Sequence, residues 1–424
     1  MNSLEHLFRR EAGRMVATLT RILGVAHVEL AEDAVHDALC RALETWKIHG
    51  VPDDPAAWLM TAAKNRALDV LRRERIASTF APEVASRIES EAAFRARLEE
   101  LSAGALIADD QLRIMFSCCN PHLTEESQLA LILNILCGFG VSEIANAFLS
   151  RDETVKKRLT RAKALLASSK RLFDLTDVDF AERLSSVQRA LYLLFSEGFH
   201  GSSTEEAVRT ELGQEAMRLT ALLCANVLTA TPASFALGAL MSLHAARLPS
   251  RLDAAGEFTQ LLDQDRSRWD ARLLHEGQRL LEASAAGDEL TAYHLEAAIA
   301  SLHAGARDAA STPWQAIVSL YDVLMRVRPS PVVALNRALA VAMDEGPDRG
   351  LDELRAIEDR ARLSSYPFYS AAFGELELRA GRAATAHERF SDALALARNP
   401  TERRFLERRL AACGPDGEQG PSKT

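Results

Sequence analysis

The sequence predicts an all-α protein. Leu, Ala, Arg and Glu dominate the 424 residues, and apolar side chains recur at steps of three and four residues, which is the period of an amphipathic helix. No segment alternates polar and apolar residues convincingly with the period of two that a half-buried strand needs, and β-branched residues are sparse. Breaks rich in Gly, Pro, Asn or Ser separate the predicted helices; they lie at 50–55, 78–82, 120–122, 137–140 and 198–203.

These breaks divide the chain into segments. We expect a helical unit at 1–77, a linker at 78–106, a second helical unit at 107–172, a long helical remainder at 180–412 and a disordered, Gly/Pro-rich tail at 413–424. The linker is acidic between 83 and 104, which fits either a solvated tether or a strand that runs through a positively charged channel of a partner. From about residue 312, small and large residues alternate with about 34 residues per helix pair, which is typical of tetratricopeptide (TPR) repeats.

Charge is distributed unevenly along the chain. Residues 1–171 carry 23 basic and 23 acidic residues, so the formal net charge of −9 lies entirely in the remainder. Basic residues cluster at 64–75 and at 151–171, and such clusters in one half of a chain indicate contact with nucleic acid on that side. No apolar run is long enough for a membrane helix and no signal peptide is evident, so we expect a cytoplasmic protein without membrane contact.

The second basic cluster forms a helix with two distinct faces. Val155, Leu159, Ala162 and Leu166 make an apolar stripe, and the cationic side chains lie outside it. A short helix from Val141, with Ser142 as its expected N-cap, and a tight turn precede this helix. A short helix, a tight turn and a longer basic helix are the layout of a helix-turn-helix, in which the last helix enters the major groove. Its cations can contact phosphates or guanine edges.

Two earlier helices are also amphipathic. In residues 30–46 a polar face lies opposite Val35, Leu39 and Leu43, and in residues 55–75 a basic face lies opposite Trp58 and Leu59. Taken alone, residues 30–46 form an ordinary amphipathic helix.

Taken together, the segments resemble a known family. AEDAVHDALCRALETW (31–46) and DDPAAWLMTAAKNRALDVLRRER (53–75) are similar to regions 2.2 to 2.4 of extracytoplasmic-function (ECF) sigma factors, the promoter-reading subunits of bacterial RNA polymerase. Residues 123–166 are similar to region 4 of that family. IADDQLRIMFSCCNPHL (107–123), 263–282 and 293–304 resemble the subgroup that carries a C-terminal TPR-like domain. The similarity covers nearly the whole chain, and the joint order of the motifs makes it specific.

The resemblance implies partners and roles. The partners are core RNA polymerase (its β′ clamp and β flap), the −10 and −35 elements of promoter DNA, and a protein or peptide ligand of the TPR-like domain. Loop 47–55 would lie near a flipped non-template base. The residues that would face the clamp are Asp33, His36, Asp37 and Arg41. Those that would meet the −10 element are Lys64, Asn65, Arg66, Asp69, Arg72 and Arg73. Those that would face the −35 element are Lys156, Lys157, Arg158, Thr160 and Arg161.

Two positions depart from the family pattern. The family usually has Gln-Glu where this chain has His36-Asp37. It usually has a Ser N-cap where this chain has Arg151, so Ser150 or Asp152 is expected to cap the basic helix instead.

Other functions are less well supported by the sequence. We expect no catalytic site, metal or cofactor, because no GxxxxGK or GxSxG motif occurs and His275-Glu276 lacks the second His of a zinc protease motif. Adjacent Cys118 and Cys119 are expected to be buried thiols rather than metal ligands. Two alternatives remain: a helix-turn-helix regulator with a TPR sensor that acts without core polymerase, and an unrecognised enzyme within 180–412. The C-terminal domain could modulate activity, as an inhibitor or as a positive element, or dock a partner.

Overall fold

The structure is a computed structural model, which describes residues 2–24, 27–77, 110–147, 150–168, 177–200, 210–251, 253, 257–397 and 400–414. These residues form helices and connecting turns without a β-strand, so the all-α prediction is confirmed. None of the described helices is both long and apolar enough to cross a membrane. The predicted linker at 78–106 and most of the predicted tail at 413–424 lie outside the described residues.

The chain divides into two compact units, which are described separately. Unit 1 comprises Met1–Gly198 and Thr210–Thr229, and unit 2 comprises Phe199–Arg209 and Ala230–Thr424. The helices of unit 1 are α1 (Asn2–Leu23), α2 (Val28–His49), α3 (Pro55–Ala77), α4 (Asp110–Cys118), α5 (Glu125–Cys137), α6 (Val141–Ala147), α7 (Asp152–Ser168), α8 (Asp177–His200, which ends at the boundary) and α9 (Thr210–Ala225).

The first three helices of unit 1 pack against one another around an aromatic centre. Trp46 of α2 is 5% exposed, and its ring lies 5.6 Å from that of Phe8 and 5.4 Å from that of Trp58. Aromatic pairs at this separation and in tilted or edge geometry add to the free energy of apolar burial. This centre fixes α2 and α3 side by side, so their polar faces belong to one surface.

Helix α1 also packs against α4 and α5, which places the first and second predicted helical segments in one unit. At Gly13 the α1 backbone approaches α5 so closely that a Cβ would lie 1.9 Å from the carbonyl oxygen of Leu136. The guanidinium of Arg21, whose side chain is 1% exposed, pairs with the Asp110 carboxylate of α4. Only Gly allows this approach of two helix backbones.

Helix α8 completes the core of unit 1. The Phe116 ring of α4 is fully buried and lies 4.9 Å from that of Phe180 in edge geometry. Arg183 of α8 donates a hydrogen bond of 3.1 Å to the Phe116 carbonyl oxygen. Compact unit 1 therefore extends beyond residue 172, through helices that the sequence analysis assigned to the C-terminal segment.

Unit 2 is a succession of helices in which each packs on the next. Its helices are α10 (Pro232–Ala245), α11 (Ala271–Ser284), α12 (Ala292–Gly305), α13 (Trp314–Val327), α14 (Pro331–Glu345), α15 (Pro347–Arg355), α16 (Pro367–Arg379), α17 (Ala383–Ala395) and α18 (Pro400–Ala411).

Helix boundaries in unit 2 follow local capping chemistry. The Ser330 hydroxyl accepts from the Val332 amide, Pro331 opens α14, and the helix ends at Gly346, whose φ is 102°. A hydroxyl N-cap, a Pro at the first position and a Gly beyond the end satisfy or remove the free backbone groups of a helix.

Small residues in unit 2 face large ones on the neighbouring helix. A Cβ at Gly374 of α16 would lie 3.0 Å from three ring carbons of Phe390 on α17. At Gly350 of α15, a Cβ would lie 2.9 Å from Cδ1 of Leu376 on α16. The prediction of small residues alternating with large ones in this segment agrees with this packing.

Candidate nucleic-acid interface

Helix α7 has the two faces that the sequence predicts. Val155, Leu159, Ala162 and Leu166 are all at most 5% exposed, so the predicted apolar stripe is confirmed. Outside the stripe, Lys156, Lys157, Thr160 and Arg161 are exposed and Arg158 is partly exposed. The Thr160 hydroxyl donates to the Lys156 carbonyl oxygen at 3.0 Å, so its oxygen stays close to the helix backbone.

The start of α7 differs from the prediction. Ser142 does not precede α6, since that helix already begins at Val141, and the expected N-cap role is wrong. Its hydroxyl donates instead to the Asp152 carboxylate at 2.5 Å and so ties α6 to the first residue of α7. The Arg151 carbonyl oxygen accepts from the Thr154 and Val155 amides, which makes Arg151 the residue at which helical bonding begins.

Helix α3 presents most of its predicted polar residues to solvent. Asn65, Asp69, Arg72 and Arg73 are exposed. Lys64, in contrast, is only 8% exposed. It also has hydrogen-bonding or electrostatic partners within the protein. The Asp54 carboxylate accepts from the Ala57 amide at 3.0 Å and fixes the start of the helix.

Residues 50–54 connect this helix to α2, and the rest of the predicted loop 47–55 lies in the ends of the two helices. Ile48 in the last turn of α2 and Val51 in the connection are 79% and 50% exposed, and Gly50 has a φ of 83° that favours Gly. The loop therefore carries apolar side chains in water next to the polar face of α3.

Helix α2 exposes the four residues expected to face a polymerase, Asp33, His36, Asp37 and Arg41. Asp37 is bonded to the other surface helix, since its carboxylate accepts from the Arg66 Nε at 2.5 Å. Both side chains are nearly half exposed, so water screens this pair and its net stabilisation is small. The pair nevertheless joins a residue assigned to polymerase with one assigned to DNA.

One apolar residue of α2, Leu43, is exposed where the sequence predicts burial. The sequence analysis placed Leu43 opposite the polar face together with Val35, but Leu43 is 54% exposed while Val35 is 2% exposed. A single exposed Leu is common on protein surfaces and does not by itself indicate a partner. Sequence periodicity could not predict the exposure of Leu43, because a Leu at helical spacing is normally assigned to the core.

Helices α2 and α7 are joined by a partly buried ion pair. The Lys163 Nζ lies 2.8 Å from Oε2 and 3.0 Å from Oε1 of Glu32. Burial raises the pKa of the Glu32 carboxyl, and the bond and charge of Lys163 offset this only in part. Neither residue was among the predicted site residues.

The buried-thiol prediction for Cys118 and Cys119 is confirmed, since both are 1% exposed. Burial raises the pKa of both thiols well above the ordinary value. In the part of the chain that the structure describes, no group of three His, Cys, Asp or Glu side chains is placed to hold a metal ion.

Comparisons with known proteins bear on this surface. Residues 7–76, which contain α2 and most of α1 and α3, match sigma-70 region 2. Residues 183–285 match a family of unknown function (DUF6596). An uncharacterized protein of Rhizobium meliloti (strain 1021) is 38% identical over 387 residues, which cover 91% of this chain and 90% of that protein. No solved structure matches the chain significantly.

The region 2 match covers the helices on which Asp33 to Arg73 are displayed. Sigma-70 region 2 implies binding of core RNA polymerase and promoter DNA, and the sigma family consists of non-enzymatic initiation factors. The chain belongs to the same family as the Rhizobium meliloti protein, and it carries a sigma-70 region 2 at residues 7–76, which supports a sigma-70 family factor of transcription initiation.

Proposed function

We propose that the chain is an ECF-type sigma factor that binds core RNA polymerase in the cytoplasm and directs initiation at specific promoters. The observation that carries this proposal is the region 2 match at 7–76, together with the exposed polar residues that α2 and α3 place on one surface. Within the proposal, each exposed face has a separate task.

Helix α3 contacts the −10 element through its exposed residues. Asn65, Arg72 and Arg73 supply donors for phosphates and unstacked bases, and the exposed loop 47–55 lies beside them. Asp69 can accept from a base amine. Lys64 and Arg66 have internal partners, so they contribute to DNA binding only if those partners exchange.

Helix α2 contacts the β′ clamp. Asp33, His36, Asp37 and Arg41 offer charges of both signs, and exposed Leu43 adds an apolar anchor next to them. An apolar centre with a charged rim is the usual anatomy of a stable interface.

Helices α6 and α7 form a helix-turn-helix that reads the −35 element. Lys156, Lys157, Thr160 and Arg161 are exposed on one helix whose opposite face is buried, which is the arrangement that major-groove reading requires. Partly exposed Arg158 lies at the edge of that face, where it can reach a phosphate.

Unit 2 is a TPR-like domain that modulates activity or docks a protein or peptide partner. Its succession of packed helices and its small-to-large contacts support this assignment. The surplus of acidic residues in 172–424 repels DNA, so contact with the promoter stays on the basic faces of unit 1.

A helix-turn-helix regulator that acts without polymerase is the alternative. The same basic helix supports it, but such a regulator needs no sigma-70 region 2.

Run-off transcription tests the two proposals directly. The full chain is added to core RNA polymerase with a genomic promoter library, and start sites are mapped. We expect new start sites that share −10 and −35 sequences, and their loss with Asp37→Arg. Duplex binding by the chain alone, with no new start site in the presence of core polymerase, would favour the alternative.

A further inference from the structure

Unit 2 contains an open cavity of about 450 Å³ whose wall contains two arginines and several aromatic rings. Phe258, Trp314 and Tyr321 contribute aromatic surface, and Arg247 and Arg251 contribute guanidinium groups. A pocket of this size, mostly apolar with a few charged groups, is typical of sites for metabolite-sized molecules.

Arg251 is held deep in this wall. Arg251 is 3% exposed, and its Nη1 donates a hydrogen bond to the Phe199 carbonyl oxygen. Its guanidinium lies 3.9 Å from the centre of the Phe199 ring and 4.8 Å from that of the Phe258 ring. Two rings and one carbonyl oxygen thus fix the position of the cation. A carbonyl oxygen and aromatic rings carry no net charge, so these partners do not neutralise the positive charge of Arg251.

Arg247 is fixed in a similar way. Its Nε donates to the Gln264 side-chain oxygen at 3.2 Å, and its guanidinium lies 5.7 Å from the Trp269 ring. Its two terminal nitrogens have no hydrogen-bond acceptor among the residues that the structure describes. Across the same described residues, neither Arg247 nor Arg251 pairs with a carboxylate.

Neighbouring arginines repel each of these two cations. Burial and repulsion by Arg247 lower the pKa of Arg251 to about 9, and burial and repulsion by Arg266 lower the pKa of Arg247 to about 10. Both remain charged at neutral pH. Buried charges without a counter-charge are costly and are rare in proteins.

The other titratable groups of the wall do not neutralise this charge. Burial and the nearby arginines lower the pKa of His303 to about 4, so His303 is neutral, and its Nδ1 is buried without a hydrogen-bond partner. Glu375 also lines the cavity, but its carboxylate is engaged by Arg379 at 3.3 Å and by Arg409 at 2.6 Å. The positive charge of Arg247 and Arg251 therefore faces the cavity.

We propose that this cavity binds a small organic anion, whose carboxylate, sulfonate or phosphate group pairs with Arg251 and Arg247 while its apolar body packs on Trp314 and Tyr321. Guanidinium groups bind such oxyanions through two parallel hydrogen bonds. The terminal nitrogens of Arg247, which have no acceptor among the described residues, are the donors best placed for this role. The inference concerns unit 2 alone and does not depend on promoter recognition.

A matched pair of fluorescent probes tests the charge requirement. Anilinonaphthalene sulfonate is an aromatic anion, and phenylnaphthylamine is the same ring system without the sulfonate. We expect the full chain to bind the anion at one saturable site, at least about tenfold more tightly than the neutral probe, as for a charge-assisted contact. Equal affinity for both probes, or fluorescence that does not saturate, overturns the proposal.

Arginine variants locate the site. Arg251→Met and Arg247→Met should each remove most of the preference for the anion, Arg251→Lys should keep part of it, and Arg268→Met, an exposed arginine nearby, should leave it unchanged. Arg247 is only partly buried, so Arg247→Met is expected to fold. It therefore tests the charge requirement even if Arg251→Met does not fold.

Thermal unfolding separates binding from a purely structural role. If the arginines serve a ligand, Arg247→Met should be at least as stable as the wild type without ligand, and it should lose the rise in Tm that the anionic probe gives the wild type. A less stable variant with wild-type affinity for the anion contradicts the proposal.

Discussion

The ammonium of Lys163 lies 2.8 Å from the carboxylate of Glu32, although the two residues are 131 positions apart in the chain. Their side chains are 18% and 23% exposed, so the bond between α7 and α2 is largely removed from water. Removing two charges from water opposes their attraction, and burial raises the pKa of Glu32 despite the neighbouring cation. The two partners should therefore respond unequally to mutation.

Lys163→Met should lower the free energy of unfolding by about 2 kcal/mol, because it leaves a buried carboxylate without its partner. Glu32→Gln should cost less, because the amide oxygen still accepts from Lys163 and no carboxylate needs to be desolvated. Urea unfolding followed by circular dichroism measures both. Arg189→Met is the control, since its pair with Glu125 is about half exposed and should contribute under about 0.5 kcal/mol.

The same pair predicts a pH dependence. Folding raises the pKa of Glu32 above its ordinary value of 4.5. The carboxyl group of Glu32 therefore binds a proton more tightly in the folded protein than in the unfolded chain. The contribution of Glu32 to stability is therefore present below pH 4.5 and is lost as pH rises through the raised pKa. The stability of Glu32→Gln relative to wild type should increase across that interval. If the difference in stability between Glu32→Gln and the wild type stays constant with pH, the pKa of Glu32 is not raised by folding.

The sequence predicted the faces of α7 correctly because burial follows helical period there, with Val155 and Leu159 inside and Lys157 outside. It failed at Leu43, since period alone does not distinguish a core Leu from an exposed one. It could not reveal the Glu32–Lys163 bond or the cavity arginines, because each depends on helices distant in sequence that meet only in the folded chain.

Lys157→Ala and Arg161→Ala should each weaken binding to −35 duplexes. A base-edge contact should cost about 1–3 kcal/mol and relax sequence preference at one position, whereas a phosphate contact should weaken all sequences alike and reduce the salt slope by about one. Fluorescence anisotropy across a salt series distinguishes these outcomes. Arg272→Ala, an exposed arginine of unit 2, is the control. Wild-type binding by both α7 variants would remove this helix from promoter recognition.

Leu43→Ala should weaken binding to core polymerase about tenfold or more without loss of stability, because a side chain 54% exposed contributes little to the core but can anchor an interface. Surface-immobilised core polymerase gives the affinity. Val227→Ala serves for comparison, since that side chain is 92% exposed in unit 1 outside the predicted interface. Unchanged affinity in Leu43→Ala would mean that the clamp contacts another part of α2.

A chain that ends at Arg171 should be much less stable than one that ends at Thr229. The shorter chain lacks Phe180 and Arg183, so the buried ring of Phe116 becomes exposed. We expect a Tm lower by at least about 10 °C, the shift that a loss of a few kcal/mol produces in a domain of this size. Circular dichroism melts of both chains measure it. Equal melting temperatures would show that α8 is not part of the core of unit 1.

Gly350→Ala should destabilise unit 2 by about 1–3 kcal/mol, because the new Cβ would lie 2.3 Å from the Ala342 Cβ and 3.0 Å from the Ala338 carbonyl oxygen. Gly305→Ala is a matched control at the end of α12, where no atom lies within 4 Å of the new Cβ. Ala should be neutral or favourable there. Chemical unfolding of both variants tests the packing, and equal stabilities would contradict it.

The close approach of α1 to α5 at Gly13 affects how a promoter can be engaged. If α3 and α7 read the proposed elements, their targets lie about 25 base pairs apart, which is about 85 Å along a duplex. Both helices contact α2, which has 22 residues and is about 33 Å long. They cannot reach both targets while these contacts hold. A promoter would then select a conformation in which the helices have parted, and some of its binding free energy would be spent on separating α1 from α5.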